Sequence, residues 1–141
     1  MKYLTNYIEE AQTKAFNEAG AFFAFSDKQF NEAKVEGVKY LSLGAGLICP
    51  GNKAKQLIAT LDKVHAEGIK QDLAENGKAG VIHRELGNHE YSITYSIEDT
   101  ARALEGYGIT REEIQAEGKV YLKAHYEWEE AEELKKAEVS A

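Results

Sequence analysis

One cysteine, Cys49, stands in a chain of 141 residues, which excludes an intramolecular disulfide framework and points to a reducing cytoplasm. No apolar run reaches transmembrane length, and the N-terminal MKYLTNYIEEAQ lacks the unbroken apolar core of a signal peptide. Positive charge is not in excess either. The formal net charge is −7, which argues against nucleic-acid binding through a broad basic surface. Acidity of this size mostly means solubility; its sharper alternative is DNA mimicry, with carboxylates standing in for phosphates in a basic groove. No linker, low-complexity block or repeat divides the chain, so residues 1–141 read as one domain. Hydrophobic residues supply 43%, an ordinary globular share, and the length suffices to bury a core without disulfide or metal.

Periodicity gives the order of elements. Leu4, Tyr7, Ile8, Ala11, Ala15 and Ala19 follow helical spacing, predicting a helix from about Tyr3 to Ala19 that Gly20 ends. The run AFFAF, residues 21–25, is short and aromatic and reads as a buried strand. Ser26 with Gln29 makes a capping box for a short helix to about Glu36, burying Phe30 and Ala33. Next come a strand around Tyr40 and Ser42, a bend at Gly44 and Gly46, and a second extended piece ending at Pro50. Asn52 is placed to cap a long helix with Ala54, Leu57, Ile58, Leu61 and Val64 inside; Asn76 and Gly77 stop it. A shorter helix over 78–86 ends at Gly87 and Asn88. In YSITYSI, residues 91–97, apolar and polar residues alternate, predicting the clearest strand of the chain. A helix near Ala101 and Leu104 follows, then a break at GYGIT, where Thr110 and Glu113 form a second capping box. The last helix, to about Lys136, carries a stripe of Val120, Tyr121, Ala124, Trp128, Ala131 and Leu134 and an acidic tail. The sum is a single α+β domain: a small, mostly antiparallel sheet of three or four strands covered by helices, with a long C-terminal helix.

Two places concentrate polar chemistry. HRELGNHEY brings His83, Glu85, Asn88, His89, Glu90 and Tyr91 close in sequence. A metal needs lone pairs converging on one point, but His83 and His89 are six apart across a predicted helix stop and do not share a face as in HExxH. No metal or other cofactor is expected. Acid–base work by these histidines needs a nucleophile or an electrophile stabiliser, and neither is visible, so no catalytic residue is assigned. The plain alternative has His89 closing the turn, with His83 and Glu85 solvated. The second place is GAGLICPGNK. Gly46 and Gly51 have P-loop separation, but Asn52 occupies the lysine position and Ala54 replaces the hydroxyl residue. What remains is a helix start at which Gly51, Asn52 and Lys53, with Lys55, can hold an anion; the plain alternative is a bend and a cap. Cys49 reads as a buried thiol, and His65 and His125 as boundary histidines of their helices. On the last helix Tyr121 and Trp128, with Glu129, Glu130 and Glu133, read as an interaction surface or as a core stripe; exposure decides.

FFAFSDKQF, SLGAGLICP, LGNHEYSITY and YGIT together resemble a small family of uncharacterised proteins, domains of unknown function from bacteria, phages and mobile elements. The resemblance implies a compact accessory protein that interferes with a host system, and transfers no catalytic residue. The reading that follows is a non-enzymatic cytoplasmic protein acting by macromolecular binding, with a protein partner and a homo-oligomeric state, without direct nucleic-acid or membrane binding. The alternative is a small-ligand (nucleotide or anion) binder or hydrolase using His83, His89 and Glu90.

Overall fold

The computed structural model describes residues 1–140, with side chains through residue 138. The architecture is α+β. The chain packs as two compact units, residues 2–72 and residues 73 onward, the latter including Met1.

The first unit begins with α1 (Leu4–Ala19). Asn6 sets its start: its Oδ1 accepts the Tyr3 N–H at 2.8 Å, while its own N–H donates to the Tyr3 carbonyl. Gly20, at φ 73°, ends it in the left-handed conformation that a side chain would resist. Of AFFAF only Phe22–Phe23 forms a strand, β1, at an edge of the sheet, and Phe23 is 50% exposed rather than buried. The Ser26 cap is present. Gln29 donates its N–H to Ser26 Oγ at 3.2 Å, and its Oε1 accepts from Phe25 N–H at 2.7 Å. The helix it starts, α2 (Asp27–Ala33), ends three residues earlier than its sequence suggests; Phe30 is half-buried and Ala33 exposed.

Strands β2 (Tyr40–Ser42) and β3 (Leu47–Pro50) complete an antiparallel sheet of order β1-β3-β2. Leu41 faces Cys49 across one ladder and Phe23 faces Leu47 across the other. Central β3 turns Leu47 and Cys49 inward with the two-residue period of a strand. The bend between the strands holds Gly44, Ala45 and Gly46 at positive φ, and a Cβ at Gly46 would overlap the Phe25 ring. Phe22, Phe30 and Tyr40 meet edge-on or tilted at 5.4–6.2 Å between ring centres, which seats α2 on the sheet. The core joins Ala15, Leu47, Cys49, Ala54 and Leu57, flanked by Phe16, Ala19 and Leu61.

Helix α3 (Ala54–Asn88) runs from the first unit into the second and is broken at Gly77, whose φ of 73° and ψ of 161° are not helical. It starts after a turn over 51–53, so Asn52 lies two residues ahead of it rather than next to it. Ala54 and Leu57 are buried, but Ile58 is 47% exposed and faces away from the core. Farther along, a Cβ at Gly68 would overlap the Ile8 γ-methyl, so this glycine lets α1 and α3 approach closely.

The second unit is helical. Residues 91–97 are not a strand. Tyr91–Thr94 is a short helix, α4, set between Glu90 and Tyr95, both at φ 55°. A strand needs a neighbouring backbone, and the described residues from 73 onward contain no strand to supply one. The segment satisfies its amides locally instead. Thr94 N–H donates to the Glu90 carbonyl, Tyr95 N–H to that of Tyr91, Ser96 N–H to Thr94 Oγ1 and Glu98 N–H to Ser96 Oγ. The hydroxyls that read as the polar face of a strand are the groups that make this alternative workable. Helix α5 (Glu98–Ala103) leads to a break with Gly106 and Gly108 at positive φ. The Thr110 capping box closes both ways at 3.1 Å, and α6 (Arg111–Ser140) follows. Val81, Ile82, Leu86, Ile97, Leu104, Tyr107 and Ile114 are buried in this unit. Among the described residues no helix is long and apolar enough to cross a membrane.

Candidate functional site

The histidine junction proves to be mostly helix. Helix α3 runs through Gly87 and ends at Asn88, close to the expected stop; His89 N–H still donates to the Glu85 carbonyl at 3.0 Å, and the chain turns at Glu90. Glu85 is buried rather than solvated. Its Oε1 accepts from Arg84 Nε at 3.0 Å, and its Oε2 lies 3.4 Å from His89 Nε2. A carboxylate removed from water needs such cationic and donor partners. The two histidines diverge, because His83 turns to α6 and places Nε2 2.6 Å from Glu117 Oε2. Among the described residues no three His, Cys, Asp or Glu side chains group as metal ligands. Asn88 and Glu90 are exposed, and Tyr91 is half-buried over α6, where a Cβ at Gly118 would lie 2.9 Å from its hydroxyl.

From His83 the contacts continue along α6. The Tyr121 ring meets His83 edge-on at 5.9 Å and stacks on His125 at 6.3 Å; Tyr91 approaches Tyr121 at 6.4 Å. His125 Nε2 lies 3.1 Å from Glu129 Oε1, and its ring lies 6.4 Å from that of Trp128. Tyr95 and Tyr126 share a hydrogen bond between their hydroxyls, and this bond, with desolvation and nearby negative charge, holds the Tyr126 phenol above its ordinary pKa. Each of His83, His89 and His125 is thus set beside a glutamate, an arrangement that orients the imidazoles. A cavity beside Glu117, of about 290 Å³, is lined by Lys78, Ile82 and Glu113, with Lys78 and Glu113 joined at 2.7 Å.

The participants that sequence reasoning missed are Glu117, Arg84, Tyr95 and Tyr126. The pairs Glu85–His89 and His125–Glu129 carry a signal, since residues four apart share a helix face. His83–Glu117 spans 34 positions and carries none.

The glycine bend lies in the first unit. Gly51 N–H donates to the Lys39 carbonyl at 2.8 Å and Lys53 N–H to that of Pro50 at 2.9 Å, so both amides serve the sheet and its turn. Around Gly51, Asn52 and Lys53 opens a shallow groove of about 680 Å³ with Ala19, Val38, Leu41 and Pro50 as apolar walls and Lys39 at its edge. Cys49, beneath, is fully buried, and burial pushes its thiol pKa up, away from nucleophilic use.

The stripe on α6 divides. Tyr121 is half-buried against the histidines, whereas Trp128 is 61% and Leu134 62% exposed, with Glu130 and Glu133 exposed beside them. No curated protein and no solved structure matches the chain. The chain belongs to DUF7659, a family of unknown function, which matches its residues 4–129.

Proposed function

We propose that this is a non-enzymatic, cytoplasmic accessory protein that acts by binding another protein through the outer half of α6. The observation that carries the reading is Trp128, the only tryptophan, which stands 61% exposed on a helix whose next turns are acidic. Large aromatic side chains left in water are typical anchors of interfaces, and surrounding carboxylates steer a partner of opposite charge. Tyr126 and Leu134 widen the apolar surface; Glu130 and Glu133 supply charge that no ion pair among the described residues neutralises. The net charge of −7 favours protein association over nucleic-acid binding.

The test places a photo-crosslinking residue at exposed Ala131 and irradiates cells of the native host. A covalent adduct to a protein identified by mass spectrometry, lost in Glu130→Lys/Glu133→Lys, is the expected result. No adduct, or one indifferent to that charge reversal, overturns the assignment of α6. A ligand-binding or hydrolytic reading has one favouring observation, the 2.6 Å His83–Glu117 pair at the edge of a cavity. It requires His83→Ala to abolish binding or turnover of a small anion in a folded protein.

A further inference from the structure

We infer that the partner of the α6 surface includes a second copy of this chain, which receives the acidic, apolar end of α6 in the groove around Gly51 of its own first unit. The inference rests on α6 being a contact surface and names what it contacts.

The argument begins with where charge lies. Although the chain carries 24 acidic residues, positions 37–61 contain none, while Lys39, Lys53 and Lys55 fall within them. This stretch forms the β2–β3 hairpin and the start of α3, and the groove of about 680 Å³ opens on it. Its walls are apolar: Val38, Leu41 and Pro50 line it, and Val35 stands exposed nearby in sequence. Lys39 and Lys53 sit at its edge, and among the described residues neither forms an ion pair. The groove therefore combines an uncovered apolar floor with unneutralised positive charge.

The end of α6 has the complementary composition. Trp128, Ala131 and Leu134 are exposed, and Trp128 and Leu134 are separated by about 9 Å along the axis, less than two helical turns. Glu127 lies within this face and Glu130 on its flank, and neither forms an ion pair among the described residues. Docking this helix in the groove covers apolar surface on both sides and sets carboxylates against Lys39 and Lys53. Pairing α6 with α6 would instead bring carboxylates together, at a repulsive cost. Groove and helix are different surfaces: made reciprocally, the contact closes a two-fold dimer, and made head to tail it closes a ring or propagates.

The experiment uses the purified full-length chain in sedimentation velocity and native mass spectrometry, with no other protein present. A concentration-dependent dimer or larger closed assembly is expected, weakened by added salt as the Debye length shrinks. Trp128 emission should move to the blue as copies associate, since no other tryptophan contributes. Lys39→Glu/Lys53→Glu and Glu127→Lys/Glu130→Lys should each weaken self-association on the order of tenfold or more. An equimolar mixture of the two variants should restore it, because each then offers the charge that the other's surface requires. All four positions are exposed or at the surface of the groove, and unchanged far-ultraviolet circular dichroism checks the fold. A wild-type chain that stays monomeric up to hundreds of micromolar overturns the inference, as does an assembly that neither double variant disturbs. An α6 adduct to a different protein in cells would then still support the proposed function, so the two ideas fail separately.

Discussion

The first unit surrounds its sheet with Ala15, Leu47, Cys49, Ala54 and Leu57, an apolar cluster in which even the thiol is held neutral by burial. The second buries Arg84, Glu85 and Thr100 beside Val81, Ile82 and Leu86, and ties its helices with pairs such as His83–Glu117 and Lys78–Glu113. Dispersion and dehydration hold the apolar cluster around the sheet, where a loss leaves a cavity, although the first unit also buries one carboxyl side chain, that of Asp72. The contacts in the second mix apolar packing with half-exposed ion pairs, which water weakens.

The sharpest way to break this comparison is a matched pair of substitutions. Leu57→Ala removes a side chain only 2% exposed and should cost about 2–5 kcal/mol in denaturant unfolding. Glu117→Gln removes the carboxylate charge facing His83, and at that half-exposed site the expected cost is under about 1 kcal/mol. Equal losses would mean that the second unit depends on its ion pairs as fully as the first does on its core.

Close packing offers a second, smaller contrast. Gly68→Ala drives a methyl into the Ile8 γ-methyl, between two helices that must separate, and should destabilise by about 1–3 kcal/mol. Ile8→Ala in the same chain should recover part of that loss, as coupled neighbours do. Gly118→Ala meets only the far end of the Tyr91 ring, which can swing aside, and the gain in helix propensity of about 1 kcal/mol offsets much of the cost. Thermal unfolding of the three variants ranks them.

The smallest expected effect is acid-dependent and belongs to the second unit. The Glu113 carboxyl is held below its ordinary pKa, first by the Lys78 ammonium and then by the Thr110 backbone N–H. A depressed carboxylate contributes stability that is complete above the unfolded pKa, near 4.3, and is lost as pH falls through the folded value. Lys78→Met removes the main cause and should flatten the decline of stability below pH ~4, whereas Thr110→Ala keeps the backbone N–H and should cost about 1 kcal/mol at neutral pH through the lost Oγ cap, with most of that decline left in place. An unchanged acid limb in Lys78→Met would remove the Lys78–Glu113 pair from the account.

The local devices were legible because each is written within a few residues. Gly20 ends α1, Gly77 breaks α3, Ser26 with Gln29 opens α2, and Thr110 with Glu113 opens α6. The β2–β3 hairpin was legible from Gly44, Gly46 and the extended runs around them. Residues 91–97 were not, although their alternation was the most regular in the chain. Alternation reports which residues would share a face if a strand formed, and supplies no partner for it. The candidate site followed the same division. Exposure of Trp128 and the acids of α6 had a sequence signal with two meanings, and the position of Glu117 had none.

What the sequence by itself determined, then, is the set of helix starts and stops, the hairpin, the single buried thiol and the uneven charge along the chain. These depend on backbone conformations and hydrogen bonds that close over three or four residues. Only the tertiary structure decided that YSITYSI bends into a helix, that Ile58 faces outward, that His83 turns to α6 and that Trp128 stays uncovered. Each of those depends on which backbone or side chain from elsewhere arrives beside the residue, and a periodic pattern cannot specify its own neighbour.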